Sequence, residues 1–219
     1  MIAIARLWLA SCAPALDPLW AEQQQSLFSG SEQARLVRIN RWQRRAQFIA
    51  GHVLARQLLQ FALGRAVTVE VAADGRPLLI AAEPWTLSLS HSGSWVAALL
   101  AEGAAGVDIE LERPLRDAAA LRAWVDGSNG VPPHTPATDH ATLCEWTLAE
   151  ARLKAGVATP VFYARWDASC RDTSTREILW LAVAGVADLP TLCIADLAAR
   201  SYNDCSLAWN RLPTGRDER

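Results

Sequence analysis

The chain has 219 residues and a globular composition, with 51% hydrophobic residues, 20% charged residues and a formal net charge of −2. Its length fits one large domain or two small ones. Because the net charge is close to zero, the overall composition does not favour binding to nucleic acid or to an anionic membrane surface, and an anion site would have to be local.

Cysteine usage and the apolar runs bear on where the protein works. The five cysteines are scattered and include no Cys-x-x-Cys pair, which favours reduced thiols in a cytoplasmic protein. Arg6 interrupts the apolar start of the chain, so residues 2–9 predict an opening strand and not a signal peptide. No apolar run approaches the roughly 20 residues that span a bilayer, so we expect no membrane partner.

The most regular helical pattern covers residues 31–63. Its polar face is strongly basic and carries the arginines Arg35, Arg38, Arg41, Arg44, Arg45 and Arg56. A solvated basic face is the usual explanation for such a pattern, but these arginines could also hold phosphates.

Strands are predicted through the rest of the chain, interrupted by two helices. Predicted strands cover residues 67–71, 86–90, 95–101, 106–110, 161–166, 178–183 and 191–194. The helices cover residues 115–125 and 139–154 and are separated by an irregular loop rich in Gly and Pro. We therefore expect an α+β fold, with one α+β unit in residues 1–104 and another in residues 105–219.

Two acidic side chains share one face of the strand predicted at residues 106–110. Successive side chains in a strand point to opposite faces, so Asp108 and Glu110 project together while Val107 and Ile109 enter a core. Paired carboxylates repel each other and are costly to bury, and a hard divalent cation such as Mg2+ resolves that conflict. A solvated strand end is the competing interpretation, and it would be preferred for an isolated Asp-x-Glu pair.

A third carboxylate lies on the last predicted helix. Glu150 and Lys154 are four residues apart and share a face with Trp146. An ordinary surface ion pair would explain this spacing if the helix stood alone. The segment nevertheless follows a Ser-His-Ser sequence at residues 90–92 and the Asp-Ile-Glu sequence at residues 108–110, in one specific order along the chain.

These segments together resemble the 4'-phosphopantetheinyl transferases of the larger, surfactin-type class. That family carries a Gly-Arg/Lys-Pro turn, a Ser-His-Ser segment, a Gly-(Val/Ile)-Asp-x-Glu segment and a Trp-x-x-Lys-Glu-Ala-x-x-Lys segment. The matching segments are Gly75-Arg76-Pro77, Ser90-His91-Ser92, Gly106-Val107-Asp108-Ile109-Glu110 and Trp146-Thr147-Leu148-Ala149-Glu150-Ala151-Arg152-Leu153-Lys154. The first 40 and last 60 residues agree with the family only in length and strand content.

The resemblance implies a fold, a reaction and its partners. The fold would be a monomeric pseudo-dimer of two similar α+β halves, with coenzyme A in the cleft between them. The reaction would move the 4'-phosphopantetheine arm of coenzyme A to a serine of an apo acyl, aryl or peptidyl carrier protein. It would depend on Mg2+ and release adenosine 3',5'-bisphosphate.

The resemblance also implies a role for individual residues. Mg2+ would be held against the pyrophosphate by Asp108, Glu110 and Glu150. Glu150 would also accept the serine proton, and Lys154 would neutralise the phosphate that leaves with the nucleotide. The remaining coenzyme A contacts would come from Arg76, Pro77, Ser90, His91 and, by loose alignment only, Arg45.

Two positions depart from the family pattern. Ala149 stands where the family has a lysine, which removes one positive charge near the site, and His52 stands where an arginine is common. Neither position is one of the three expected metal ligands, so activity is still expected. The departures would act on carrier choice or on coenzyme A binding.

Two other functions stay open. A non-catalytic descendant that binds coenzyme A or a carrier protein would be consistent with Ala149. A metal-dependent phosphoesterase would explain the carboxylates but not the segment at residues 90–92. A serine hydrolase is disfavoured, because adjacent Ser and His do not form triad geometry and no Gly-x-Ser-x-Gly segment occurs.

Overall fold

The computed structural model describes residues 5–129, 138–157, 161–168, 177–205 and 207–212. Its strands are β1 (Ala5–Ser11), β2 (Val69–Val71), β3 (Pro77–Leu79), β4 (Trp85–Ser92), β5 (Trp95–Glu102), β6 (Gly106–Leu111), β7 (Val161–Asp167), β8 (Ile178–Ala184), β9 (Thr191–Asp196), β10 (Ser201–Cys205) and β11 (Asn210–Arg211). Its helices are α1 (Pro18–Gln25), α2 (Gly30–Val37), α3 (Trp42–Leu63), α4 (Ala118–Asn129) and α5 (Asp139–Ala155), and a 3-10 turn covers Ala13–Leu16. The predicted α+β class is confirmed.

The prediction of one helix over residues 31–63 is wrong in one respect, because the structure divides this region into α2 and α3. Along a continuous helix, Glu32 and His52 would stand about 30 Å apart. The break lets α2 fold back onto α3, so that the buried Glu32 carboxylate meets His52 and Arg56. Ser29 starts α2 with a capping box that uses the same Glu32 side chain.

Two sheets contain most of the strands. The order in the larger sheet is β10-β9-β1-β5-β4, and the order in the smaller is β11-β7-β8-β6. β9 runs parallel to β1, with Trp8 opposite Cys193, and carries β10 on its outer edge. The larger sheet therefore contains strands from both sides of residue 105, because β9 and β10 pair in one sheet with β1, β5 and β4.

The layers are stacked in the order α3, larger sheet, smaller sheet, α5. Alternate residues of β1 show this arrangement: Trp8 packs in the cluster shared with α3, whereas Leu7 packs against the smaller sheet. Val107 and Ile109 are fully buried between the sheets, as the strand pattern predicted. None of the helices in the described ranges is long and apolar enough to cross a bilayer.

The edges of the two sheets are joined by serine side chains instead of a backbone ladder. Three alternate serines of β4 accept hydrogen bonds from the backbone amides of β6 at 2.9–3.3 Å. The pairs are Val107 to Ser88, Ile109 to Ser90 and Leu111 to Ser92. All three serines are buried, so this row of hydroxyls fixes β6, with its carboxylates, beside β4.

Gly106 lets β6 approach α5 closely. A Cβ atom at this position would overlap the backbone oxygen of Ala151 and the backbone nitrogen of Ala155, and it would lie 2.9 Å from the Cβ of Lys154. Because these are main-chain atoms inside a helix, they cannot move aside individually. The glycine therefore sets the distance between the β6 carboxylates and the Lys154 side chain.

Gly106→Ala is expected to destabilise the protein by about 1–3 kcal/mol, the usual cost of overpacking. Chemical denaturation measures the change. Gly30→Ala is the matched control, since nothing lies within 4 Å of a Cβ there. An equal effect of the two substitutions would contradict the close-approach explanation.

Candidate functional site

A cleft of about 940 Å³ lies between α3, the β2–β3 hairpin, β4 and the end of α5. It brings together residues that are far apart in the sequence. The expected coenzyme A contacts that line it are Arg76, Pro77, Ser90, His91 and Lys154. They reach the cleft from three parts of the fold: the β2–β3 hairpin carries Arg76 and Pro77, β4 carries Ser90 and His91, and the last turn of α5 carries Lys154.

One end of the cleft is strongly basic. Arg35, Arg41, Arg44 and Arg76 all line it. Burial lowers the pKa of Arg44, and the charges of Arg35 and Arg41 lower it further, so the guanidinium groups repel one another. A phosphate bound among them would relieve that repulsion.

His91 is held as a neutral imidazole at this basic end. Burial lowers its pKa, and the charge of Arg44 contributes to bring it to about 4. Arg44 Nη1 lies 2.9 Å from Nδ1 and 2.6 Å from Nε2 of the ring, and in the neutral ring the unprotonated nitrogen accepts a hydrogen bond from the guanidinium. At neutral pH the ring therefore adds no charge to the cleft and can position Arg44.

The structure does not bring Arg45 into the cleft. Its Nη1 donates to the backbone oxygens of Leu36 at 2.8 Å and Ile39 at 3.5 Å, and thereby ties the start of α3 to the end of α2. The neighbouring Arg44 lines the cleft instead. The sequence showed that α3 was basic, but the side chains that face the cleft depend on how the helix is rotated.

Asp108 is the most buried of the three expected metal ligands. Its Oδ1 accepts hydrogen bonds from Ser90 Oγ at 2.7 Å and from Lys154 Nζ at 2.6 Å. Lys154 also donates to the backbone oxygen of Val107 at 3.2 Å. Burial raises the pKa of Asp108 even though the Lys154 charge opposes the shift.

Glu110 and Glu150 lie in the electrostatic field of Asp108. Ser92 Oγ donates to Glu110 at 2.7 Å, and Arg113 lies 3.7 Å from the same oxygen. Burial, and then the nearby Asp108 charge, raises the pKa of Glu150, and the same two causes raise the pKa of Glu110. Glu150 is half-buried, and no hydrogen bond within the described ranges involves its carboxylate.

The residues around Asp108 fit a divalent cation in charge and chemistry. Asp108 Oδ2 is buried and has no hydrogen-bond partner among the described residues. The raised pKa values of Asp108, Glu110 and Glu150 reflect desolvated carboxylates, a condition that a cation relieves. Among the described residues, however, no group of three or more Asp, Glu, His or Cys side chains is arranged so that it could hold a metal ion. The three carboxylates would have to move closer to bind one ion together.

Lys154 is the only lysine in the chain. The other 20 of its 21 lysine and arginine residues are arginines. Lysine carries a compact ammonium group on a flexible stem, whereas arginine carries a broad planar fork.

Both departures from the family pattern have a place in the structure. His52 lines the cleft but uses Nδ1 to bind Glu32, and its ring stacks on Phe48 with centroids 4.1 Å apart. Ala149 is buried on α5, with 6% of its surface exposed. No sequence pattern indicates that Glu32 is buried, although the Ser29-x-x-Glu32 spacing is that of a capping box.

Comparison with known proteins assigns the chain to no family. No model of a known protein family matches it, and a search of curated proteins finds no match.

Proposed function

We propose that the chain transfers the 4'-phosphopantetheine arm of coenzyme A to a serine hydroxyl of an apo carrier protein. The observation that carries the proposal is the cleft itself. Its basic end and Lys154 line one continuous space, although Arg35 and Lys154 lie 119 residues apart in the chain, and Lys154 contacts the buried carboxylate of Asp108 beside that space. A pyrophosphate-containing substrate needs this combination of cations beside a metal-binding carboxylate set.

The basic end of the cleft and the carboxylates beside Lys154, which do not line the cleft themselves, have different tasks in this proposal. Arg35, Arg41, Arg44 and Arg76 would bind the nucleotide phosphates. Ser90 is turned toward Asp108 and Ile109, so its proposed part is to orient the carboxylate as well as to line the cleft. Asp108, Glu110 and Glu150 would hold Mg2+, which when bound neutralises the charge that builds up on the phosphate oxygens.

The chain's own residues would move the proton and stabilise the leaving group. Glu150 would accept the proton of the carrier serine. Lys154, oriented by Asp108 and the Val107 carbonyl, would stabilise the phosphate that leaves as adenosine 3',5'-bisphosphate.

Mass spectrometry of an apo carrier protein after incubation with coenzyme A and Mg2+ tests the proposal. We expect each carrier molecule to gain one phosphopantetheine. Binding of coenzyme A or of the carrier without modification would favour the non-catalytic alternative. Breakdown of coenzyme A in the absence of a carrier would favour the phosphoesterase.

Lys154→Met is expected to lower the transfer rate about a hundredfold, the usual cost of losing one group that stabilises developing charge. The KM for the carrier should stay within a factor of about two, because Lys154 acts on the phosphate. Lys154→Arg keeps the charge and should recover only part of the rate, since the guanidinium is larger. Equal losses in rate and in carrier binding would contradict the phosphate role.

A further inference from the structure

A second cavity, of about 670 Å³, lies against the face of α3 opposite the cleft. The cleft uses α3 residues such as Gln47 and Gly51, whereas the second cavity uses Val53, Gln57 and Gln60. At 100° per residue these two sets face opposite directions. None of the residues assigned to phosphopantetheine transfer lines the second cavity, so the proposed function leaves it unexplained.

Three aromatic side chains form one wall of this cavity, and we call them the aromatic triad: Trp8, Phe61 and Tyr202. Their ring centroids lie 4.6–5.4 Å apart, although they come from β1, α3 and β10. Phe61 is 40% exposed and Tyr202 is 41% exposed. Trp8 is buried beneath them, and an apolar ligand in the cavity would remove the exposed parts of Phe61 and Tyr202 from water.

The charge of the lining is positive. It contains two arginines, Arg56 and Arg200, and no Asp or Glu. Arg56 is already engaged, because it contacts both carboxylate oxygens of Glu32 and lies over the ring of Phe28. Arg200 has no hydrogen bond or ion pair to any of the described residues and is exposed. It is therefore the cation available to a bound anion.

Arg200 is held in place by the turn between β9 and β10. Asp196 Oδ1 accepts hydrogen bonds from the backbone amides of Ala198 and Ala199, each at 3.0 Å. Arg200 itself has a φ of 53°, a left-handed conformation that non-glycine residues seldom adopt. This turn sets the backbone of Arg200 two residues before Tyr202, and both residues line the second cavity.

We propose that the second cavity binds a small apolar carboxylic acid, with its ring or short chain against Phe61 and Tyr202 and its carboxylate on Arg200. The volume lies within the range of small-molecule sites. A carboxylate matches the planar donor fork of arginine, and the rest of the lining is apolar or uncharged. The proposal does not depend on phosphopantetheine transfer.

Isothermal titration calorimetry of the full chain with two matched probes tests the proposed binding of a carboxylic acid. Naphthalene-2-carboxylate carries the proposed chemistry, and 2-naphthylmethanol has the same ring without the charge. We expect the carboxylate to bind one site about five- to tenfold more tightly than the alcohol, as a charge-assisted hydrogen bond provides. Equal affinity of the two probes for the unaltered protein would overturn the proposal without recourse to any variant.

Two variants assign the binding to a cavity. Arg200→Gln should weaken the carboxylate about fivefold and leave the alcohol unchanged, because only the charge is removed. Arg41→Gln, which alters the basic end of the cleft, should leave both affinities unchanged. Loss of carboxylate binding in Arg41→Gln but not in Arg200→Gln would move the site to the cleft and overturn the proposal. If the unaltered protein binds the probes as expected but does not modify a carrier protein, the result contradicts the proposed transferase activity and supports the second binding site.

Discussion

Replacing Glu150 by glutamine is expected to lower phosphopantetheine transfer about a thousandfold while leaving the fold intact. The substitution keeps the shape of the side chain and removes the negative charge that would accept the serine proton and help to hold Mg2+. No hydrogen bond of the described residues involves the Glu150 carboxylate, so little structural stability should depend on it. The rate of carrier modification, followed by mass spectrometry, measures the effect.

Glu145→Gln is the matched control, because Glu145 lies on the same helix five residues earlier. Its carboxylate pairs with Arg122 at 3.1 Å. We expect the control to transfer at close to the unaltered rate and both variants to keep the same thermal midpoint. A Glu150→Gln enzyme with full activity would eliminate Glu150 both as proton acceptor and as metal ligand.

Glu32→Ala is expected to lower the free energy of unfolding by about 3–5 kcal/mol, the cost of removing one partner of a buried ion pair. The Glu32 side chain is fully buried and binds Arg56 and His52, whose side chains would lose their carboxylate partner. It also accepts a hydrogen bond from the Ser29 backbone amide at 2.6 Å, so the start of α2 depends on it as well. Urea denaturation measures the loss.

Glu22→Ala provides the comparison, since Glu22 is exposed on α1 and should change stability by no more than about 0.5 kcal/mol. A small effect of Glu32→Ala, close to that of the control, would show that the His52–Glu32–Arg56 cluster contributes little to the fold. His52 would then be free for a different role in the cleft.

The same cluster predicts how stability depends on pH. Burial by itself would raise the pKa of Glu32, but hydrogen bonds from His52 and Arg56 lower it from 4.5 to about 2. A carboxylate with a lowered pKa in the folded state stabilises that state fully above about pH 4.5. Its contribution is lost as the pH falls from about 4.5 toward 2. Denaturation midpoints should therefore fall over this range in the unaltered protein and fall less in Glu32→Ala.

Local patterns determined much of the secondary structure. Alternation predicted the strand at residues 106–110 and the burial of Val107 and Ile109, and α5 begins after an N-cap threonine, Thr138. These features depend on side-chain spacing and on short-range hydrogen bonds, which a sequence displays directly. The predicted proline-rich loop falls partly outside the described residues, at positions 130–137.

The tertiary structure decided which arginines face the cleft. Arg44 and Arg45 are adjacent in the sequence and equally basic, but α3 directs Arg44 to His91 and Arg45 to the Leu36 carbonyl. The rotation of α3 follows from its packing on the larger sheet, which involves residues far away in the chain. Sequence spacing alone cannot supply that rotation.

The tertiary structure likewise decided how the carboxylates are held. The sequence by itself placed Asp108 and Glu110 on one face of a strand and supplied Glu150 and the single lysine, Lys154, four residues apart on a helix. Only the packing of β6 against β4 and α5 showed Ser90 and Lys154 sharing one Asp108 oxygen, while the other has no hydrogen-bond partner among the described residues. The physical reason is that local spacing determines which face a side chain occupies, whereas contacts between distant elements determine what it meets there.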